Sequence, residues 1–540
     1  MLFAAVVATM CTLILAMSTQ EGPMAVEITR KVNGNEYAVA RESVRQGNRV
    51  VKSRSTYLGL VLDKSRGIFK SRKRGIFYYD DKTNTYGPAP DDFVPVLKGK
   101  KDEEKLILDF GDAYLFNNLI KKYGLDESIN TIESANLESI YALLLFYLIK
   151  SDSLCHAYKW YEGSFTKILY PNAKIVSQRV SELLVSIGTE NNMRRFFAQY
   201  IKLLGNDIQE GANILIDSTG LPNSIQFPLT AVSNHNGEIS EEVRLIYVVQ
   251  QKTRLPIYMR YVPGNVIDTS TLVTTIKELK AMGVNTKFAI LDAGYVSEKG
   301  FNCLCEEKIS FITRCPENRL MYKQAVEMAI KDLEVAENIA VDEDGNLFNG
   351  RHVYIKMVKL DHKIGSDKSV NIYAYVCKDK STQEKQRKHA ISDSTYNKKL
   401  DKQKFHSDYL NSGIFVLLST RQIRADLVLN HYYIRQDIEQ VFDIAKNYGS
   451  LTPLRIENED TFRGHLLMTF MATYILQRLQ NEIKKTKFSI KDILYTMQTQ
   501  KVKVFETVAI PQEPVKNHNE IYKLLGVKHC SEYRIGSAPV

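Results

Sequence analysis

KFAILDAGYVSEKGFNCLCEEKISFITR, residues 287–314, reads as strand, helix, strand. KFAILD is an apolar run ending in an acid, SEKGFNCLCEEK is a helix, and ISFITR returns to strand texture. Upstream, ANILID (212–217) is another short buried strand that ends in an aspartate. VRLIYVVQQ (243–251) and PIYMRYV (256–262) flank a turn at 252–255 and form a strand pair. TSTLVTTIKELKAMG (269–283) is a helix with Asp268 as its expected N-cap and Gly283 as its stop. Three neighbouring strands, then helix, strand, helix and strand, indicate an α/β core on a mixed sheet.

The rhythm breaks at 320–412, which reads as an insertion. It contains two β-rich runs, HVYIKMVKL (352–360) and VNIYAYVCK (370–378), then a very polar stretch at 381–404. GIFVLLS (413–419) restores core texture, and helices at about 423–447 and 460–484 close the core. The core thus falls in two parts, 206–319 and 413–484, with a basic tail region at 485–540. Upstream, 106–205 is helical. IESANLESIYALLLFYLI (132–149) has helical spacing and VSQRVSELLVSIG (176–188) ends on a C-cap, Gly188. Lys174, Arg179, Arg194 and Arg195 add positive charge, and the pattern fits either a DNA-binding module or a helical packing domain.

Residues 24–105 form a small β-rich region with a turn at Asn33-Gly34. Its basic stretch KSRGIFKSRKRGIFYY (64–79) is either a solvated edge or a phosphate-contacting arm. KGKKDEEK (98–105) reads as a linker or an exposed helix start. Residues 2–17 are almost wholly apolar, yet no Lys or Arg precedes them and the run is short for a bilayer span. The expectation is that 1–23 is an upstream extension and that the start is Met24.

Composition narrows the classes. Of 540 residues 44% are hydrophobic and 25% charged, which excludes disorder and a coiled coil. The net charge of +10 suits a polyanionic partner, and serves solubility equally well. The seven cysteines form no paired CxxC motifs, so a zinc ribbon has no basis, and their low count fits a reduced, cytoplasmic compartment. There is no P-loop, no GxGxxG and no HExxH, which removes ATP hydrolysis, dinucleotide binding and zinc proteolysis. His431 and His465 read as structural histidines, Trp160 as packing, and Cys303 and Cys305 as buried thiols.

Asp217 and Asp292 both end apolar strands, where α/β sheets collect ligands. Either alone is an ordinary turn-former. The sharper pattern is HYYIRQDIEQVFDIAKNYG (431–449). Tyr432, Arg435, Glu439 and Lys446 there fall within an arc of roughly 60° on a helix. Ile434, Ile438, Val441, Phe442 and Ala445 fill the adjacent apolar sector. By itself this border is equally a surface salt-bridge ladder, since Arg435 and Glu439 are an i,i+4 pair. Joined to the two aspartates, it supplies three carboxylates for hard divalent ions with cations to hold phosphates.

The Tyr432, Arg435, Glu439, Lys446 spacing resembles the Y-R-E-K signature of bacterial insertion-sequence transposases with a DDE triad. ILIDSTG (214–220) and FAILDAGYVSEKGFNCL (288–304) are similar to that family's first- and second-acid motifs. PGNVIDTSTL (263–272) and RGHLLMTFMATYIL (463–476) also resemble family segments. The resemblance covers about 205–480 well and 24–205 more loosely. It implies an RNase H-like core with a β-rich insertion between the second and third acids. It implies catalysis and metal binding by Asp217, Asp292 and Glu439 with two Mg²⁺, Mn²⁺ substituting. Tyr432, Arg435 and Lys446 would bind DNA phosphates. The implied partners are terminal inverted repeats, target DNA and a second copy in a synaptic homodimer, with no membrane, in a bacterial cytoplasm at the nucleoid. The implied reaction is two-metal phosphodiester hydrolysis and transesterification. An RNase H-like nuclease without strand transfer, and a catalytically inactive DNA-binding descendant, are the alternatives. Ala293 and Asp443 depart from the family, standing where basic residues are common.

Overall fold

The computed structural model describes residues 24–535 except 33–34, 47–48, 91–92, 94–105, 206–207, 209–210, 224–226, 236–237, 342–344, 365–367, 397–401, 450, 453–455 and 457. The expected apolar extension at 1–23, the Asn33-Gly34 turn and the 98–105 linker lie outside the described residues. The chain divides into two compact units, Met1–Glu103 and Glu104–Val540.

The first unit is an antiparallel sheet of six strands in sequential order. They are β1 (Ala25–Val32), β2 (Asn35–Gln46), β3 (Arg49–Asp63), β4 (Ile68–Ser71), β5 (Gly75–Asp80) and β6 (Thr85–Pro88). One face carries a small core of Ala38, Ala40, Leu58, Phe69, Phe77 and Tyr79. Alternation along the strands sends their neighbours to the other face.

The second unit is built around a mixed sheet. Its strands are β8 (Ala212–Pro222), β9 (Ala231–His235), β10 (Glu238–Gln250), β11 (Pro256–Pro263), β12 (Thr286–Leu291), β13 (Ser310–Cys315), β14 (Val353–Ile364), β15 (Lys368–Asp379) and β16 (Ile414–Ser419). Their order is β11-β10-β8-β12-β13-β16-β15-β14, with β9 beside β10. β8, β12 and β13 run parallel, and the other pairings are antiparallel. The two β-rich runs of 320–412 continue this same sheet through β15 and β16, register Val376 to Val416. The polar stretch after them is helical, Lys380–Tyr396 and Lys402–Asn411.

Each face of the sheet is buried. Ile214, Ile216, Ile246 and Val248 point into a core roofed by the helices Asp268–Ala281, Glu298–Glu306 and Leu320–Ala329. Leu215, Leu245, Tyr247 and Val249 point the other way, into the larger core shared with the helices upstream and downstream. The central element of that core is the helix Glu459–Ile483, apolar on nearly every side because it is surrounded. At Gly464 it crosses the helix Ser177–Ile187 so closely that a Cβ would lie 2.1 Å from the Leu184 carbonyl oxygen. His465 beside it is a structural group: its Nδ1 meets the Tyr147 hydroxyl at 2.6 Å, and burial lowers its pKa to about 4. Trp160 packs edge-on against Phe146. A third sheet, β19 (Tyr533–Arg534), β18 (Val508–Pro511), β17 (Lys501–Val504) and β7 (Leu106–Asp109), ties the two ends of the unit together. Among the described residues no single helix is long and apolar enough to cross a membrane.

Candidate active site at the strand ends

The parallel register of β8 and β12 pairs Ile216 with Leu291. The next residue along each is an acid, so Asp217 on β8 and Asp292 just past β12 lie side by side, ~4.8 Å apart in backbone spacing. Asp292 stands in extended conformation just past its strand, before the short turn Ala293–Tyr295. Its carbonyl oxygen accepts from the Thr313 hydroxyl at 3.2 Å, which ties that turn to β13.

The third acid arrives from above. Asp217 is paired across the sheet with Tyr247, whose ring stacks on Phe442 at 5.4 Å. Phe442 lies one turn beyond Glu439 on the helix Gln436–Asn447, so this stacking seats the helix over the first acid's strand. The helix is shorter than its sequence pattern predicts. Val428–Tyr433 is a separate segment, and the join is tightened by i to i+3 bonds, the Arg435 N–H donating to Tyr432 and the Ile438 N–H to Arg435. The four signature residues therefore do not form one continuous stripe. Tyr432 is buried before the break, its hydroxyl pushed up to about 12 by desolvation.

At the break, the Arg435 guanidinium gathers the three acids. Nη1 donates to Asp217 Oδ2 at 3.1 Å and lies 3.6 Å from Asp292 Oδ1, while Nη2 lies 3.6 Å from Glu439 Oε1. Farther along the helix, Lys446 Nζ donates to the Thr219 hydroxyl at 2.7 Å, two residues past Asp217 on the same face. Tyr432, Arg435, Asp292, Arg314, Phe415 and Gln436 line a cleft of about 320 Å³. Of the six residues singled out from the sequence, Asp217, Asp292 and Glu439 meet at Arg435, Tyr432 lines the adjoining cleft with Asp292 and Arg435, and Lys446 contacts Thr219 instead of the acids.

Electrostatics mark Asp217 as the costly member. Burial raises its pKa to about 7 against the pull of Arg435, with Asp292 and Asp268 adding to the rise. Arg435 itself is held above its usual value, since the carboxylates around it outweigh its own desolvation. Burial lowers Lys446. Three carboxylates facing one guanidinium leave an excess of negative charge, and the oxygen donor set is the kind that hard divalent cations take. As arranged, with the arginine between them, no three His, Cys, Asp or Glu side chains among the described residues form a ready metal cage.

A second polar cluster lies beneath. Ser218 points to the opposite face from Asp217, where its hydroxyl donates to Asp268 Oδ1 at 2.7 Å, and Arg244 Nη1 donates to the same oxygen at 3.2 Å. Asp268 is therefore the first residue of its helix with its carboxylate turned to the sheet, and the N-cap position falls to Ile267. This corrects the expected capping role: a buried arginine is a stronger partner than a free helix N–H. Arg254, held in the left-handed region at φ 58°, reaches Asp437 at 2.8 Å and fixes the start of the signature helix. Sequence reading passed over Ser218, Arg244 and Arg254. Only Arg244 left a signal, a charge inside the apolar run VRLIYVVQ.

Fold and acids together define a mixed α/β domain in which an aspartate at the middle of β8, which runs on to Pro222 rather than ending at 217, an aspartate just past β12 and a helical glutamate meet at one arginine. The family described as the transposase DDE domain matches residues 212–475, from the start of β8 into the core helix, and the chain carries a DDE-type transposase domain over that stretch. Among solved structures the chain is similar to piggyBac transposase, determined by cryo-EM as a synaptic complex with hairpin DNA. Identity is 13% and the TM-score 0.36, over 68% of this chain and 71% of that one, a likeness too slight to carry an argument. No curated protein matches the chain by sequence.

Proposed function

We propose that this transposase cleaves the ends of an insertion sequence and joins them to target DNA at the centre formed by Asp217, Asp292 and Glu439. The supporting observation is that one guanidinium lies within 3.1–3.6 Å of all three carboxylates, although they are separated by 75 and 147 positions in the chain. In this reading the acids hold two Mg²⁺ ions, or Mn²⁺ in their place. Such a pair, when bound, polarises the scissile phosphate and lowers the pKa of an attacking water or 3′-hydroxyl.

The chain's own residues do the rest. Asp217, costly to ionise where it is, is the acid that a second positive charge relieves most. Arg435 serves as a resident counter-ion before loading and turns to a DNA phosphate afterwards, where its planar fork suits two oxygens. Lys446 and Tyr432 supply a point charge and a hydroxyl on either side of it. The terminal inverted repeats are a pair of like ends, which suits a two-fold synaptic dimer.

The test is incubation with Mg²⁺ and DNA carrying the gene's native flanks, beside an Asp217→Ala variant. End-specific nicks or hairpins present only in the wild type support the reading. Cleavage without joining makes the protein a nuclease, and equal absence of cleavage in both rejects an active enzyme.

A further inference from the structure

We propose that the N-terminal sheet bears its own duplex-DNA surface, a phosphate-gripping hairpin over residues 64–79. The choice of DNA rests on the transposase reading; the surface itself rests on charge and placement. Residues 24–90 contain fourteen lysines and arginines against six acids, a net of +8 in 67 residues, while the remaining 473 share +2. A chain using charge for solubility alone has no need to concentrate it so.

The strand pattern displays that charge. β4 is only four residues long, and the turns at its two ends carry Lys64 and Arg66 on one side and Arg72, Lys73 and Arg74 on the other. All five are exposed, as is Lys70 between them. Lys64, Lys70, Arg72 and Lys73 make no ion pair among the described residues. The nearby acids are otherwise engaged. Asp63 accepts from the Ser65 hydroxyl at 2.6 Å and the Arg66 N–H at 3.1 Å, and Asp80 accepts from the Thr83 hydroxyl at 2.8 Å and the Lys82 N–H at 2.9 Å. The acids shape the turns and leave the cations outward.

The hairpin is also stiff. Phe69, Phe77 and Tyr79 bury one face of it, and Arg74 lies over the Tyr86 ring at 4.0 Å. The other face presents Lys70 with Tyr78, and on β3 Tyr57, which is 64% exposed. Four strand residues set the two basic turns ~13 Å apart, on the order of a B-DNA groove's ~12 Å width. No Asn, Gln, Asp or Glu occurs within 64–79, and its cations suit the phosphate oxygens that every duplex presents.

The experiment uses the full chain in EDTA with a fluorescein-labelled duplex of scrambled sequence, read by anisotropy over a series of NaCl concentrations. The combined variant Lys64→Ala, Lys70→Ala, Arg72→Ala, Lys73→Ala is expected to bind at least tenfold more weakly. The slope of log affinity against log salt should fall by roughly 3.6, about 0.9 for each of the four lost phosphate contacts. If that variant does not fold, Lys73→Glu alone, in an exposed turn, should lower the slope by about 1. Unchanged slope and affinity overturn the proposal. In a separate assay with Mg²⁺ and the native flanks, Glu439→Gln should fail to cleave. End-specific cleavage together with an unaffected hairpin variant rejects the surface alone. Hairpin-dependent binding with no cleavage by the wild type keeps the surface and rejects the active-enzyme reading.

Discussion

Arg435 and Arg244 lie on opposite faces of β8, each against an aspartate, and their surroundings differ. Arg435 is 21% exposed and faces three acids, one of them, Glu439, 58% exposed. Arg244 is 8% exposed and sits with Asp268 and, at 4.0 Å, Glu242, both nearly as buried. The upper cluster is open and carries more negative charge than its arginine balances. The lower one is closed and hydrogen-bonded to the strand through Ser218. An arrangement of the first kind can exchange its cation for another; one of the second kind can only hold the strand that presents Asp217. Alternation along a single strand separates the two tasks by one residue.

The strongest break in that comparison is Asp217→Asn. It should cut DNA cleavage by at least ~10³-fold, ~4 kcal/mol at the transition state, while leaving the fold intact. Arg244→Ala should do the reverse. It removes one member of a buried ion pair and should lower unfolding free energy by about 3 kcal/mol in a urea titration.

The pH dependence sharpens the contrast. Asp217 has a folded pKa near 7, above its unfolded value, so its proton is held more tightly in the folded state. The stability this gives is present below about pH 4 and is lost as pH rises through about 7. Metal-free wild type should therefore lose on the order of 2 kcal/mol between pH 5 and 8 relative to Asp217→Asn, read from paired melting curves. Arg435→Ala should bind Mn²⁺ about tenfold more tightly by calorimetry, ~1.4 kcal/mol, because its acids no longer have a resident cation. Lys446→Met should be the mildest change, about a fivefold loss of cleavage, ~1 kcal/mol, with little change in melting temperature.

The three acids stood out in the sequence because two follow short apolar runs and one lies on an amphipathic helix, but the continuation of β8 past Asp217 to Pro222 was not legible, since STGLP reads as a turn. The two-faced sheet was legible, since its parallel strands are short apolar runs. The break at Arg435 was not, because Ile434 and Ile438 keep helical spacing across it and only the local 3₁₀ bonding shows it. The pairing of β15 with β16 was likewise hidden, because two hairpin strands look alike whether they form a separate layer or extend a sheet. The partners of Asp268 escaped because an acid at a helix start reads as a cap wherever its side chain goes.

The central claim is that three distant acids form one metal centre. Replacing Mg²⁺ with Fe²⁺ and adding ascorbate and peroxide generates hydroxyl radicals at bound iron, and the cut sites in the chain can be mapped by mass spectrometry. The account predicts backbone cuts near 217, 292 and 439 together, suppressed by excess Mg²⁺ and absent in Asp217→Asn. Cuts at one of these segments without the other two, or a pattern unchanged by Asp217→Asn, would contradict it.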